Sequence, residues 1–408
     1  MYSPLSGFTV IDFSHVMAGP FCTHTLHTLG ARVIKIERIG EGDVMRHYDV
    51  RPEYTSKAPP FIAVNAGKES LALDLKSAQA KKIIRDLVST ADVVVENFRP
   101  GVLERLGLGY QECKQWNENI VYCSVSGFGQ QGPLKNNPAY DHIVQAMAGV
   151  MSLTGEPNSK HLKVGFPVLD TFAGYTAAMA VMSALLQRER FGGGQYIDVA
   201  MLDASLNLMI SMAAPFLIAG DVPKKVGNRG FNMSPTSDTF RAKGGEISIG
   251  ANTQKQYEAM CQVMERDDLI HDERFALREG RMKNEAALQE EIEKTTQLKS
   301  AYEWESAFNK VGVPSAAIRT IPEIIQHEHL DGRGLKIPIQ SESQIAKGEN
   351  SGFTLGPGFV LNQSQLKNMG HAPGLGEHSI SILRELGYPQ SDIDDLCRDN
   401  VIQKSYSN

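Results

Sequence analysis

Several familiar signatures are missing from this chain. No apolar run approaches the roughly 20 residues that a membrane-crossing helix needs, and the start, Met1-Tyr-Ser-Pro-Leu-Ser6, lacks the basic patch and apolar stretch of a secretory leader. A cytoplasmic protein with no membrane partner is expected. The five cysteines (Cys22, Cys113, Cys123, Cys261, Cys397) are odd in number, scattered and free of any Cys-x-x-Cys pair. That argues against zinc and a disulfide framework and for a reducing compartment. Positive charge is not in excess: 41 Lys and Arg face 47 Asp and Glu, for a net charge of −6. Nucleic acid is therefore not an expected partner. Despite 37 glycines, the first strand-to-helix turn, Ser14 to Pro20, is not a Gly-x-Gly-x-x-Gly, which leaves an NADP-linked reductase remote. Ser124-Val-Ser126-Gly127 is not a nucleophile elbow. The His24/His27 and His327/His329 pairs lack carboxylates placed to complete a metal site.

What is present reads as an α/β protein. At 408 residues, with 42% hydrophobic and 22% charged content, the chain is long enough for two domains or one elaborated one. Short apolar strands are predicted over 9–13, 31–37, 70–75, 92–97 and 120–126, with helices over 21–29 and 77–91. This alternation implies a doubly wound, mostly parallel sheet covered on both faces. Small-residue helices are predicted over 140–155 and 171–190, followed by a strand over 195–201. Lys243-Gly-Gly245 has the look of a hairpin tip, and 256–312 is helical and charged. The expected division is a large domain over 1–200, a small α+β domain over 226–325, and a segment 330–408 returning to the large domain.

Asp170 is the residue most suggestive of chemistry. It follows an apolar stretch, 163–169, that predicts a strand running into a helix, where a carboxylate is presented to a ligand beside a helix N-terminus. That placement suits a nucleophile; the plainer possibility is a cap for the helix at Thr171. At the end of the second predicted strand, Ile36-Glu37-Arg38 places an arginine where a phosphorylated ribose would sit, as in NADP or coenzyme A. Arg99 and Arg105 follow the fourth strand in Asn97-Phe98-Arg99-Pro100-Gly101, and Lys76 follows the third. These cations converge on one sheet edge, as an anionic, nucleotide-like ligand requires. His15, in the first strand-to-helix turn, is expected to cap or pack.

Leu5-Ser-Gly-x-x-Val-Ile-Asp-Phe13, Gly30-Ala-x-Val-Ile-Lys-Ile-Glu-Arg38, Glu96-Asn-Phe-Arg-Pro-Gly101, Ser126-Gly-Phe-Gly129 and Pro138-Ala-Tyr-Asp141 occur in series, followed by Gln145-Ala-Met-Ala-Gly149, Leu153-Thr-Gly155, the Asp170 segment, Gly194-Gln195 and Gly376-Glu-His378. In that order they resemble class III coenzyme A transferases of the formyl-CoA and carnitine type, most closely over residues 5 to about 210. The resemblance implies a large α/β domain, a small domain and an interlocked homodimer. It implies acyl-CoA and a small carboxylic acid as substrates, with no prosthetic group or metal. Asp170 would be the nucleophile, passing through an aspartyl anhydride and an aspartyl-CoA thioester. Contacts to CoA would fall on Val16, Met17, Ala18, Arg38, Leu73, Lys76, Asn97, Phe98, Arg99 and Arg105, with Tyr140 near the thioester. Formyl- and oxalyl-using members carry glutamine where this chain has Met17, so a larger or less polar acyl group is expected. Met147, Met151 and Phe166 hint at the same tolerance. Lys243-Gly-Gly245 is a short candidate for the family's active-site loop.

Two alternatives stay open. An α-methylacyl-CoA racemase would also use Asp170, but its histidine falls at Tyr140, and helical rotation is expected to turn His142 away from the site. A CoA-binding protein without catalysis is the other.

Overall fold

The computed structural model describes residues 3–49, 51–54, 56–339, 352–362 and 369–405. Six parallel strands form the heart of the larger of two units: β1 (Thr9–Asp12), β2 (Arg32–Arg38), β3 (Glu69–Leu73), β4 (Val93–Glu96), β5 (Val121–Ser126) and β6 (Gln195–Ala200). A short C-terminal strand, Ile402–Gln403, adds antiparallel to β3. The spatial order is C-terminal strand, β3, β2, β1, β4, β5, β6. Every residue of β4 and β5 is buried, as strands covered on both faces must be. The chain winds outward in both directions from β1, so the crevice beyond the carboxyl ends of β1 and β4 is where a ligand is expected.

Helix α1 (Ala18–Thr28) and the long α4 (Val168–Phe191) cover one face, with a core that includes Val10, Cys22, Leu26, Val95, Ala177 and Val181. On the other face lies α2 (Ala78–Val88), capped by Ser77 and burying Ala80, Ile83, Ile84, Leu87 and Val88. That spacing is the apolar stripe of a helix lying on a sheet. Where α1 meets α4 the backbones come very close: a Cβ on Gly174 would stand 2.6 Å from the Ala18 carbonyl oxygen. Only glycine permits that approach, and it brings the start of α1 beside the helix that carries Asp170.

Three sequence expectations change here. The stretch before Asp170 is not a strand. The edge beside β5 is taken by β6, which pairs from Val121↔Gln195 onward, so residues 163–167 have no sheet neighbour and α4 begins at Val168. The helix expected over 140–155 is two short ones, α3 (Asp141–Met147) and Val150–Leu153, separated at Gly149 with φ 87°. Finally, α4 is 24 residues long and largely apolar. It is thus long and apolar enough to cross a membrane by length and composition. In this fold its alanine-rich face is buried in the α1 side of the core.

The smaller unit comprises 152–162 and 224–328. Residues 152–162, expected in the large domain, belong here because Lys225 Nζ donates to the carbonyls of Ser159 and Lys160 at 3.0 Å. The unit holds an antiparallel sheet, β7 (Ser237–Ala242), β8 (Gly245–Gly250) and β9 (Ser315–Ala317), over a core that includes Phe240, Tyr257, Phe275, Trp304 and Phe308. Gly244, with φ 76°, makes the β7–β8 turn, and the Lys243 amide is tied to Lys299 O at 3.0 Å. Residues 201–223, 329–339, 352–362 and 369–405 lie with the large unit.

Candidate active site

A cavity of about 300 Å³ opens beyond the carboxyl ends of β1, β2 and β4, lined by Ser14, His15, Arg38, Asp43, Leu75 and Phe98 among others. Its floor is a buried network of charge. Lys35 Nζ pairs with Asp43 at 3.0 Å and donates to Ser14 O at 2.6 Å. The Arg46 guanidinium grips both oxygens of Glu37, at 2.8 and 2.6 Å, a bidentate geometry that suits buried pairs. Lys68 Nζ meets Asp12 at 3.0 Å. Each buried charge is thereby compensated, as burial demands.

The loop from Ser14 to Met17 crosses this network, and its backbone groups are held one by one. The Ser14 amide donates to Asp12 at 2.9 Å. The Asn97 side chain clamps His15 from both sides, accepting from its amide at 2.9 Å and donating to its carbonyl at 2.7 Å. Asn97 therefore positions the loop. Burial, with Lys35 nearby, pushes the His15 imidazole below its usual pKa, and its ring meets Phe98 edge-on, with centroids 4.5 Å apart. His15 thus packs on Phe98 while also lining the cavity.

Of the four cations expected to converge, Arg38 lines the cavity and is exposed, paired with Glu41 at 3.2 Å. Lys76, Arg99 and Arg105 are exposed and stand outside its lining. Leu73 is fully buried in the core on the α2 side, and Leu75, two residues on, lines the cavity instead. Val16 and Met17 are half-buried and Ala18 is buried at the start of α1.

Asp170 lies in the first turn of α4. Its helix is capped by another carboxylate: Asp141 Oδ2 accepts from the amides of Leu169 at 2.8 Å and Asp170 at 3.1 Å. Buried Gln145 completes the brace, donating to Asp141 Oδ1 and accepting from the Val164 amide at 2.8 Å. Asp170 itself is not the cap, and its side chain has no hydrogen-bond or ion-pair partner among the described residues. Burial, then the charge on Asp141, pushes its carboxyl up to about 7. A half-buried carboxylate left without a partner is poorly solvated and reactive.

Tyr140 is exposed and ends the loop before α3. Because α3 starts only at Asp141, the rotation expected between residues 140 and 142 does not apply. The His142 ring lies parallel to that of Tyr140 with centroids 6.3 Å apart. Residues that the sequence did not single out for the site are Asp43, Asp141, Gln145 and Tyr48. The Tyr48 hydroxyl is pushed up by partial burial, then by the charges of Asp43, Tyr140 and Asp170. Asp141 and Gln145 stood inside motifs, but only contacts between distant segments reveal what they hold. No group of three or more potential metal ligands occurs among the described residues.

Comparison with known proteins places the chain in a family. The chain is 36% identical to an acetyl-CoA:oxalate CoA-transferase from Acetobacter aceti, over 95% of this chain and 97% of that one. It is 32% identical to a succinate–glutarate CoA-transferase from Agrobacterium fabrum, covering 94% and 96%. A CAIB/BAIF family protein of known structure from Brucella suis superposes with a TM-score of 0.86 at 33% identity, covering 95% of this chain and all of that one. The model for CoA-transferase family III matches residues 5–379, and the protein is an enzyme belonging to that family.

Proposed function

We propose that the protein moves coenzyme A from an acyl-CoA donor to a carboxylic acid through covalent intermediates on Asp170. The observation that carries this reading is the unpartnered Asp170 carboxyl in the first turn of α4, raised to about 7. Its carboxylate attacks the donor thioester carbonyl, forming an aspartyl anhydride and expelling CoA thiolate. The thiolate then attacks the aspartyl carbonyl, releasing the donor acid and leaving an aspartyl-CoA thioester. The acceptor carboxylate repeats both steps in reverse order, and Asp170 returns as a free carboxylate. Each step exchanges one acyl bond for another, so no electrons or net protons are needed.

Met17 bears on the substrate. Its thioether cannot donate a hydrogen bond to a small oxyacid, so dicarboxylates with a carbon skeleton, succinate among them, are proposed over oxalate and formate. A homodimer is proposed as well. Helix α5 (Ile210–Ala219) buries no residue, and its Leu217 and Ile218 are 80% and 84% exposed. Such a helix calls for a cover, and a second copy supplies it. Sedimentation equilibrium should return twice the chain mass of 44.8 kDa; a single-chain mass at micromolar concentration would refute this.

The test of the chemistry is mass spectrometry after incubation with succinyl-CoA or acetyl-CoA and trapping with hydroxylamine. A hydroxamate on the Asp170 peptide, absent from Asp170→Ala, is expected. The second reading, epimerisation at the α-carbon, draws on His142 lying beside Tyr140. It predicts no adduct, and solvent deuterium entering a 2-methylacyl-CoA.

A further inference from the structure

Val16 carries a φ of 66°. A β-branched residue in the left-handed region is a true outlier, and such strain persists only where the surroundings impose it. The surroundings here are specific. The Val16 amide donates to both oxygens of Asp43, at 3.2 and 3.3 Å. Asp43 is held in turn by Lys35 Nζ at 3.0 Å, with both side chains 1% exposed, and by the Met45 amide at 2.9 Å. Its own amide donates to Glu37 at 2.9 Å. Burial works against the Asp43 charge, but Lys35 and the Met45 and Val16 amides outweigh it and hold the carboxyl below its usual range.

We propose that Asp43 is a positioning residue for CoA transfer: anchored by Lys35, its carboxylate locks Val16 in the left-handed conformation and so fixes the turn that receives the acyl-CoA. The turn's location gives the lock its consequence. Two residues past Val16, the Ala18 carbonyl rests against Gly174, one helical turn from Asp170 on the same face of α4. Asp43 itself lines the cavity beside Arg38 and Phe98. A left-handed Val16 thus sets where the ligand-binding crevice ends and where the face bearing Asp170 begins. This inference rests on the CoA-transferase reading.

A double-mutant cycle tests it. Asp43→Glu keeps a charge for Lys35 but moves the carboxylate by one methylene, away from the Val16 amide. Val16→Gly supplies a residue that adopts positive φ without a clamp. In the wild-type background Asp43→Glu is expected to raise KM for acyl-CoA, and Kd for free CoA by calorimetry, about tenfold. In the Val16→Gly background the same change should raise them threefold or less. Equal effects in both backgrounds would mean that Asp43 acts only by stabilising the fold. An unchanged KM and Kd in Asp43→Glu would also overturn the proposal. Asp43→Asn, with Asp43→Asn/Val16→Gly beside it, repeats the cycle should the glutamate fail to fold. The two readings fail separately. A wild-type enzyme that transfers CoA but ignores position 43 sinks the lock alone, whereas a wild type without transfer or an Asp170 adduct sinks the mechanism.

Discussion

Asp170→Asn should lower kcat for CoA transfer by about 10⁴-fold or more, while Kd for CoA stays within about threefold of wild type. The amide preserves shape and the N–H contacts to Asp141, and removes only the nucleophile. Wild-type kcat/KM should also fall tenfold for each pH unit below about 7, because only the ionised form attacks and the carboxyl is pushed up to about 7. Asp141→Asn should move this acid limb downward, since the charge on Asp141 is the second cause of the rise. Stability should move the opposite way from activity. A carboxyl whose folded pKa lies above its unfolded value loses stability as pH climbs between the two. The penalty begins near an ordinary carboxylate pKa of about 3.9 and is complete above about 7. Asp170→Asn removes it, so the variant should be more stable than wild type by about 1–3 kcal/mol at pH 8, after discounting for partial exposure, and equal to it at pH 4. Thermal melts at the two pH values, beside stopped assays of CoA exchange, check both. A variant that retains a tenth of wild-type kcat would remove Asp170 from the chemistry.

The sheet was legible because its signal is local. Val93–Glu96 and Val121–Ser126 are short apolar runs between turn residues, and a parallel sheet buries such runs on both faces. Asp170 was legible as a residue but not as a geometry. Val-Gly-Phe-Pro-Val reads as a strand until β4 and β6 prove to hold the two sides of β5. Helix or strand at that point is decided by which neighbour is available, and no periodicity carries that information. Arg38 was found by its place at the end of β2. Lys76, Arg99 and Arg105 were grouped with it on strand ends alone, and loop directions separate them from the cavity lining. The brace of Asp141 and Gln145 escaped notice because each side chain serves a backbone amide at least 19 residues away. Asp43, 27 residues from Val16, escaped for the same reason. Side chains that satisfy remote backbone groups leave no pattern in their own neighbourhood.

Lys68→Met should be the most damaging single change away from the reacting groups. Lys68 Nζ is fully buried and makes four contacts: Asp12 Oδ2 at 3.0 Å, Thr23 Oγ1 at 2.7 Å, Asn65 Oδ1 at 2.9 Å and Pro20 O at 3.1 Å. Methionine fills the volume but leaves the Asp12 carboxylate, equally buried, with hydroxyl and amide donors and the more distant charge of Lys35. Stranding one partner of a buried pair costs about 3–5 kcal/mol, which for a chain of this size lowers the melting temperature by roughly 4–6 °C. The loss should grow with pH. In wild type, burial raises the Asp12 carboxyl, but Lys68, Lys35 and the hydroxyl donors together bring it well below its usual range. That stabilisation is present above the unfolded pKa and fades only in strong acid. Without Lys68 the folded pKa rises, so the deficit should be smaller at pH 4 than at pH 8. Asp12→Asn/Lys68→Met should recover most of the loss, because it removes both charges together. Activity should follow the same order, since Asp12 holds Ser14 at one end of the crevice loop and Lys68 holds Pro20 at the other. Urea melts of the two variants at pH 4 and pH 8 decide the matter. A single variant as stable as wild type, or a double variant no better than the single, would mean that the pair is not what holds the floor of the site.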